Sequence, residues 1–241
     1  MIDLALVMGG VLAGLINAIA GGGSTVTLPL LLLVGVDASV ANGTNRVAVL
    51  FQSLSATRSF SAHGAVNWRV TFRLLPFVLG GAILGALIAS DVNPEKLESV
   101  FGVVFIALGI LLVSKDQLKR SVAHIDLSGV RWLVLIGIGF YGGFLQAGVG
   151  IPLLLTFMGL YGLNFADANG TKVVHIAIYS FGVLFVFGSA DQVHTVYGLE
   201  LAVGGVLGSH IGAKIVLKQE PKYLKPLLSV FLCVMGVRSL V

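Results

Sequence analysis

Residues 4–36 carry no charged side chain, yet their composition does not permit one membrane-crossing helix. As a single α-helix these 33 positions would reach roughly 50 Å at ~1.5 Å per residue, against a hydrocarbon core of about 30 Å. The run is also interrupted, at Ala18-Ile19-Ala20-Gly21-Gly22-Gly23-Ser24-Thr25-Val26-Thr27-Leu28-Pro29. Consecutive glycines have no side chain to pack and each weakens a helix by up to ~1 kcal/mol. The pattern predicts two helical arms, about 4–19 and 25–36, joined by an unwound segment at Gly21, Gly22 and Gly23, with Ser24 or Thr25 as N-cap of the second arm.

Unwound backbone is tolerated at membrane depth only where it is buried in protein or lines a watery cavity. A helix that starts there directs free N–H groups and the positive end of its dipole at the break, which makes an anion site without a basic side chain. The alternative is a glycine seam that only packs helices together. A second broken segment at a matching position favours a transport site.

The rest of the composition fits a polytopic membrane protein. Of 241 residues, 56% are hydrophobic and 11% charged, where soluble domains carry about 25% charged residues. No basic segment precedes the first apolar run, so no cleavable leader is expected. The single cysteine, Cys233, excludes an intrachain disulfide and a cysteine metal cluster. The net charge of +4 sits mostly in loops, where it sets membrane orientation and does not call for nucleic acid.

Downstream, Asp37 signals a helix start, and a helix is expected to about residue 62. A polar, arginine-rich loop follows at 63–73, then a glycine-studded helix over about 74–90. Pro94 opens another helix, about 95–114. Residues 115–131 form a charged linker between a first repeat, 1–114, and a second, 132–241. Adding 127 to a position maps one half onto the other without gaps. Ala41-Asn42-Gly43-Thr44 meets Ala168-Asn169-Gly170-Thr171, Gly21 meets Gly148, Gly23 meets Gly150, and Pro94 meets Pro221. The second copy has its own uncharged run, 132–166, broken at Gly148-Val149-Gly150-Ile151-Pro152.

Loop charges predict that the copies are inverted. Loop 58–73 holds Arg58, Arg69 and Arg73 and no acid, while its mate, 185–200, holds Asp191 and Glu200 and no lysine or arginine. Loop 90–99 is mainly acidic, and its mate, 217–226, is mainly basic. Under the positive-inside rule equivalent loops then lie on opposite sides, which requires an odd number of crossings per copy. The expected fold is all-α: two inverted repeats, each a broken-helix hairpin plus three transmembrane helices, in the cytoplasmic membrane with the N-terminus outside.

The hairpin turns would lie symmetrically, with the amides of Asn17 and Gln146 beside them. Candidate substrate-binding residues are Asn17, Gly21, Gly22, Gly23, Ser24 and Thr25 from the first turn, and Gln146, Gly148 and Gly150 from the second. Asn42, Thr44 and Arg46, with Asn169, Thr171 and Lys172, come from the duplicated motif. Arg46 lies roughly 13 Å along its helix and Lys172 about 12 Å, which places two cations inside the hydrocarbon. Such burial is costly and usually functional; snorkelling to the surface is the other reading. Two cations, two helix N-termini and several amides and hydroxyls describe a pocket for a small anion. His175, one turn after Lys172, is a candidate proton carrier or a structural histidine. No metal or cofactor site, phosphate-loop signature or nucleophile elbow is expected.

At these residues the chain resembles the TauE/SafE family of sulfite exporters, also called the toluene-sulfonate uptake permease family. The resemblance rests on Gly21-Gly22-Gly23-Ser24 followed by Pro29, on Asn42-Gly43-Thr44, and on the second copies around Gly148 and Asn169. It covers essentially the whole chain and implies transport of sulfite, thiosulfate, sulfonates or related small anions across the cytoplasmic membrane. The expectation is a secondary transporter, acting as an exporter by alternating access with optional proton coupling; a passive anion channel is the alternative. An intramembrane enzyme is disfavoured by the lack of paired carboxylates in a span. Partners are a small inorganic or organosulfur anion and the bilayer, with no nucleic acid; a homodimer is one of the oligomeric states left open.

Overall fold

The structure, a computed structural model, describes residues 3–113 and 130–218. Most of the expected linker and the expected helix after residue 219 lie outside the described residues. Nine α-helices are found among the described residues: α1 (Leu4–Ala20), α2 (Ser24–Leu33), α3 (Ala38–Ala62), α4 (Trp68–Asp91), α5 (Pro94–Val113), α6 (Arg131–Phe144), α7 (Gly150–Tyr161), α8 (Phe165–Ser189) and α9 (Thr195–Lys218). By length and composition α4, α8 and α9 are long and apolar enough to cross a membrane, while α1, α2, α6 and α7 are shorter apolar helices. At ~1.5 Å per residue, α2 and α7 reach only about 15 and 18 Å, roughly half of a hydrocarbon core.

Local chemistry sets the boundaries. Asp3 caps α1, its Oδ1 accepting from the Ala5 N–H at 2.9 Å. Asn67 caps α4 by accepting from the Val70 N–H at 3.0 Å. That cap starts α4 six residues earlier than expected, so Arg69 and Arg73 lie on its first turns and not in a loop. The same correction applies across the molecule: α8 runs to Ser189 and α9 begins at Thr195, so Glu200 is a buried helix residue whose Oε1 accepts from the Asp3 N–H at 3.1 Å. The N-cap of α2 is Gly23, without a side-chain bond, and neither Ser24 nor Thr25 takes that place. The second arm also ends at Leu33, short of residue 36, where Gly35 adopts a positive φ of 84°.

The hairpin arms α1 and α6 are each packed against a long helix, α1 on α9 and α6 on α4. Small residues let these backbones touch. A Cβ at Gly10 or Gly14 would collide with the Leu201 and Gly205 carbonyls of α9, and one at Gly204 or Gly208 with the Val7 and Val11 carbonyls of α1. Gly81 and Gly85 of α4 meet α6 in the same way, and Gly139 and Gly143 of α6 meet α4. Close backbone approach of this kind is how apolar helices gain packing energy where lipid offers no hydrophobic advantage. Between the two pairs, α3 packs against α8, Val49 sharing one buried apolar cluster with Tyr179 and Val183, and Ala56 and Phe60 sharing another with Val173. α3 and α8 are the two helices that carry the duplicated motif, and the core holds them against the hairpin turns.

Candidate functional site

The two turns meet. The Gly150 N–H donates to the Gly21 carbonyl at 3.0 Å, and a Cβ on either glycine would strike the other's backbone. Gly21 sits at φ 78° and closes α1, its N–H reaching the Asn17 carbonyl at 2.9 Å. In the second turn Gly148 has φ 68° and Gln146 φ 69°. The left-handed region is free for glycine but costs a glutamine about 1 kcal/mol, so the surroundings must hold Gln146 there. The positive ends of α2 and α7 and the negative ends of α1 and α6 converge at this junction.

Both cations are fully buried within the protein. Arg46 of α3 terminates α6. Its guanidinium donates to the carbonyls of Gly142 at 2.6 Å and Gly143 at 2.8 Å, to Gln146 Oε1 at 2.5 Å and to Asn42 Oδ1 at 2.9 Å. Asn42 completes the cap by donating to the Phe144 carbonyl at 2.7 Å. The guanidinium carbon also lies 5.3 Å from the centre of the Phe187 ring, within cation–π range. Lys172 of α8 terminates α1 in the same manner. Its Nζ donates to the Asn17 carbonyl at 3.2 Å, the Ala18 carbonyl at 3.4 Å and Asn169 Oδ1 at 2.6 Å. Each cation therefore comes from one half of the chain and caps the broken helix of the other, where a positive charge complements the helix dipole.

The remaining candidates divide into two sets. Around the turns, Gly23 packs on α1 at Ala13 and Asn17, and Gly22 accepts from Thr25 Oγ1 at 2.5 Å. Ser24 Oγ accepts from Asn45 Nδ2 at 3.0 Å, and Asn45 Oδ1 accepts from Thr27 Oγ1 at 2.5 Å. Asn17 Nδ2 donates to Gln52 Oε1 at 3.3 Å. Gln146 Oε1 accepts from the Tyr179 hydroxyl at 3.0 Å as well as from Arg46, and Tyr141 Oη donates to the Ala147 carbonyl. Asn169 Nδ2 donates to the Phe165 carbonyl at 2.9 Å. Away from the turns, Thr44 Oγ1 accepts from the His194 N–H at 2.8 Å and Thr171 Oγ1 from the Asn67 N–H at 3.3 Å. The two threonines thus anchor inter-helix connections. His175 is fully buried, with Nδ1–H donating to the Thr171 carbonyl at 2.9 Å, its ring 5.0 Å from Phe157, and no partner for Nε2 among the described residues. Among the described residues no group of three His, Cys, Asp or Glu is placed to hold a metal ion.

Residue-by-residue reading overlooked Thr27, Asn45, Gln52, Tyr141 and Tyr179. One signal was present: Gln52 and Tyr179 are mates under the 127-residue offset, both polar within apolar helices, and each holds an amide beside a turn.

A family model described as Sulfite exporter TauE/SafE matches residues 6–239. The chain is 32% identical over 234 residues to "Probable membrane transporter protein ORF9" of a Sinorhizobium species, covering 95% of this chain and 88% of that protein. It is 28% identical over 231 residues to "Probable membrane transporter protein YfcA" of Escherichia coli K12, covering 95% and 86%. A "Probable membrane transporter protein" of Haemophilus influenzae is 30% identical over 223 residues, covering 90% and 86%. No solved structure matches the chain.

Proposed function

Because the chain belongs to the TauE/SafE sulfite exporter family and is a helical membrane transporter, we propose that it moves sulfite or a related sulfur oxyanion or sulfonate across the cytoplasmic membrane by alternating access. The observation that carries this reading is the junction of the two turns, with a buried cation behind each. Opposed helix ends contribute roughly equal and opposite partial charges, about half a unit each. Their sum cancels, so the charges of Arg46 and Lys172 remain as the net field at the junction. A small dianion that leaves water needs that compensation. With Gln146 Oε1 committed to Arg46 and Tyr179, the amide offers only its NH2 donors to a ligand. The starts of α2 and α7 act through their positive dipole ends, since the N–H groups of Thr25, Val26, Gly150 and Ile151 are already bonded to the Gly22, Gly23, Gly21 and Gly148 carbonyls.

The two halves form inverted repeats in this reading, with the N-terminus outside. Support comes from the opposite charge bias around connections 63–67 and 190–194, with Arg58, Arg69 and Arg73 flanking the first and Asp191 within the second, and from the reciprocal packing of α1 on α9 and α6 on α4. The short α2 and α7 suit re-entrant hairpins that turn within the bilayer. Fully buried His175 is the candidate carrier if a proton accompanies the anion.

Thermal-shift titration of the purified protein against sulfite, thiosulfate, sulfonates, sulfate and carboxylates tests the substrate class. A ligand at 100 times its dissociation constant stabilises by ~2.7 kcal/mol. Stabilisation by the sulfur oxyanions over carboxylates is expected, and none by any of them would remove the reading. Proteoliposome flux then separates transporter from channel: uphill movement of the anion on an imposed proton gradient is expected of the transporter alone.

A further inference from the structure

The duplicated Asn-Gly-Thr motif is also a seat for two inter-helix connections. On α8, the Ala65 carbonyl of connection 63–67 lies against Gly170, where a Cβ would collide with it, and the Asn67 N–H donates to Thr171 Oγ1 at 3.3 Å. On α3, the Gln192 carbonyl of connection 190–194 lies against Gly43 in the same way, and the His194 N–H donates to Thr44 Oγ1 at 2.8 Å. The last residue of each connection caps the next helix. Asn67 Oδ1 accepts from the Val70 N–H at 3.0 Å, and His194 Nδ1 accepts from the Tyr197 N–H at 3.3 Å. Every one of these positions is related to its counterpart by the 127-residue offset. The geometry is duplicated and the chemistry is not. An amide does not titrate, whereas an imidazole takes up a proton in the range of roughly pH 5 to 8.

Protonation converts His194 Nδ1 from acceptor to donor, so its bond from the Tyr197 N–H is lost. The same ring is stacked on Tyr197, with centroids 3.9 Å apart. Cap and stack therefore rest on one exposed side chain. The acids on the surrounding elements are Asp191 in the same connection, Asp91 at the end of α4, Asp37 before α3, Asp3 before α1 and Glu200 on α9. The bases on the same elements are Arg46 and Arg58 on α3, Arg69 and Arg73 on α4, and His210, Lys214 and Lys218 on α9; Arg46, two residues beyond Thr44, has its guanidinium engaged by the end of α6, Gln146 and Asn42. Gln192 Nε2 ties the connection to the Ser90 carbonyl at 2.9 Å, and that bond does not depend on pH.

We infer that connection 190–194 is a proton-released strap over the Asn42-Gly43-Thr44 end of α3, with His194 as its trigger. Connection 63–67, with Asn67 in the equivalent place, is its pH-insensitive counterpart on α8. As the outward gate of a transport cycle the strap rests on the function and orientation proposed above; its opening does not.

Hydrogen exchange on the full-length protein in detergent, at pH 7.5 and pH 5.5 with intrinsic rates corrected, reads the opening directly. Protection across residues 190–200 should fall about fivefold at the lower pH, the scale of a lost helix cap, while residues 63–73 should not change. His194→Asn copies the Asn67 cap and should keep the protection while abolishing its pH dependence. Asp191→Asn should leave the pH dependence in place. Thr44→Val should loosen residues 190–200 at both pH values. The inference is overturned by equal pH responses of the two connections, by a response that survives His194→Asn, or by one that disappears with Asp191→Asn. None of these outcomes requires an anion, so a failed substrate screen leaves this test standing and its failure leaves the substrate reading standing.

Discussion

Arg46→Gln is the most informative single substitution. The arginine donates to four oxygens, two of them main-chain carbonyls at the end of α6. A glutamine is shorter, neutral and has one NH2, so it satisfies at most two of the four. Bonds to a charged group contribute about 1.5–3 kcal/mol each. Relief of the desolvation cost of a buried charge offsets part of their loss. A net destabilisation of about 3 kcal/mol is expected, a shift of more than a hundredfold in the folding equilibrium. Affinity should fall as well, by about tenfold, or ~1.4 kcal/mol, because the negative end of α6 is then unopposed at the junction. Arg46→Lys separates the two effects: it keeps the charge but not the fork, so affinity should hold near the parental value while stability drops. Equilibrium unfolding in mixed micelles measures the first quantity and calorimetric titration with sulfite the second. An Arg46→Gln protein within ~0.5 kcal/mol of the parent in stability, and equal to it in affinity, would refute the helix-end argument.

Lys172→Gln should weaken anion binding by a similar factor through α1, read by the same titration. Gly150→Ala places a methyl group against the Gly21 backbone and should cost ~1–3 kcal/mol of unfolding free energy, with loss of flux exceeding that of Gly159→Ala, where the added methyl meets open space. Tyr179→Phe removes one of two donors to Gln146 Oε1; about 1 kcal/mol is expected, and a double-mutant cycle with Gln146→Ala should show the two residues coupled. For orientation, single cysteines at His63 and Ala190, both exposed and equivalent by offset, are placed in a Cys233→Ser background. An impermeant thiol reagent on intact cells should label position 190 and spare 63; labelling of both from one side would sink the inversion.

The break at Gly21, the second break at Gly148 and the all-helical membrane class were legible in the chain, because each depends on local properties. Apolar run length, glycine clustering and loop charge act over a few turns of helix. The ends of α2 and α4 were misjudged by several residues for the same reason: Asn67 looked like loop, and its role as a cap depends on where Val70 comes to lie. Distance along a helix marked Arg46 and Lys172 as cations set well inside their helices; that both are enclosed by protein was settled by packing. So were their partners. Arg46 finds its carbonyls 96 and 97 residues away and Lys172 finds its own 155 and 154 residues away, and no periodicity reports contacts of that separation. Thr44 and Thr171 illustrate the same limit. The sequence marked them as special by repeating them, and the repeat itself says only that two equivalent places need the same shape. That each hydroxyl receives the N–H of a connection from the other half is decided by how α3 and α8 pack. A buried polar group takes whichever partner the packing brings within 3 Å or so, and that partner is a property of the assembled helices.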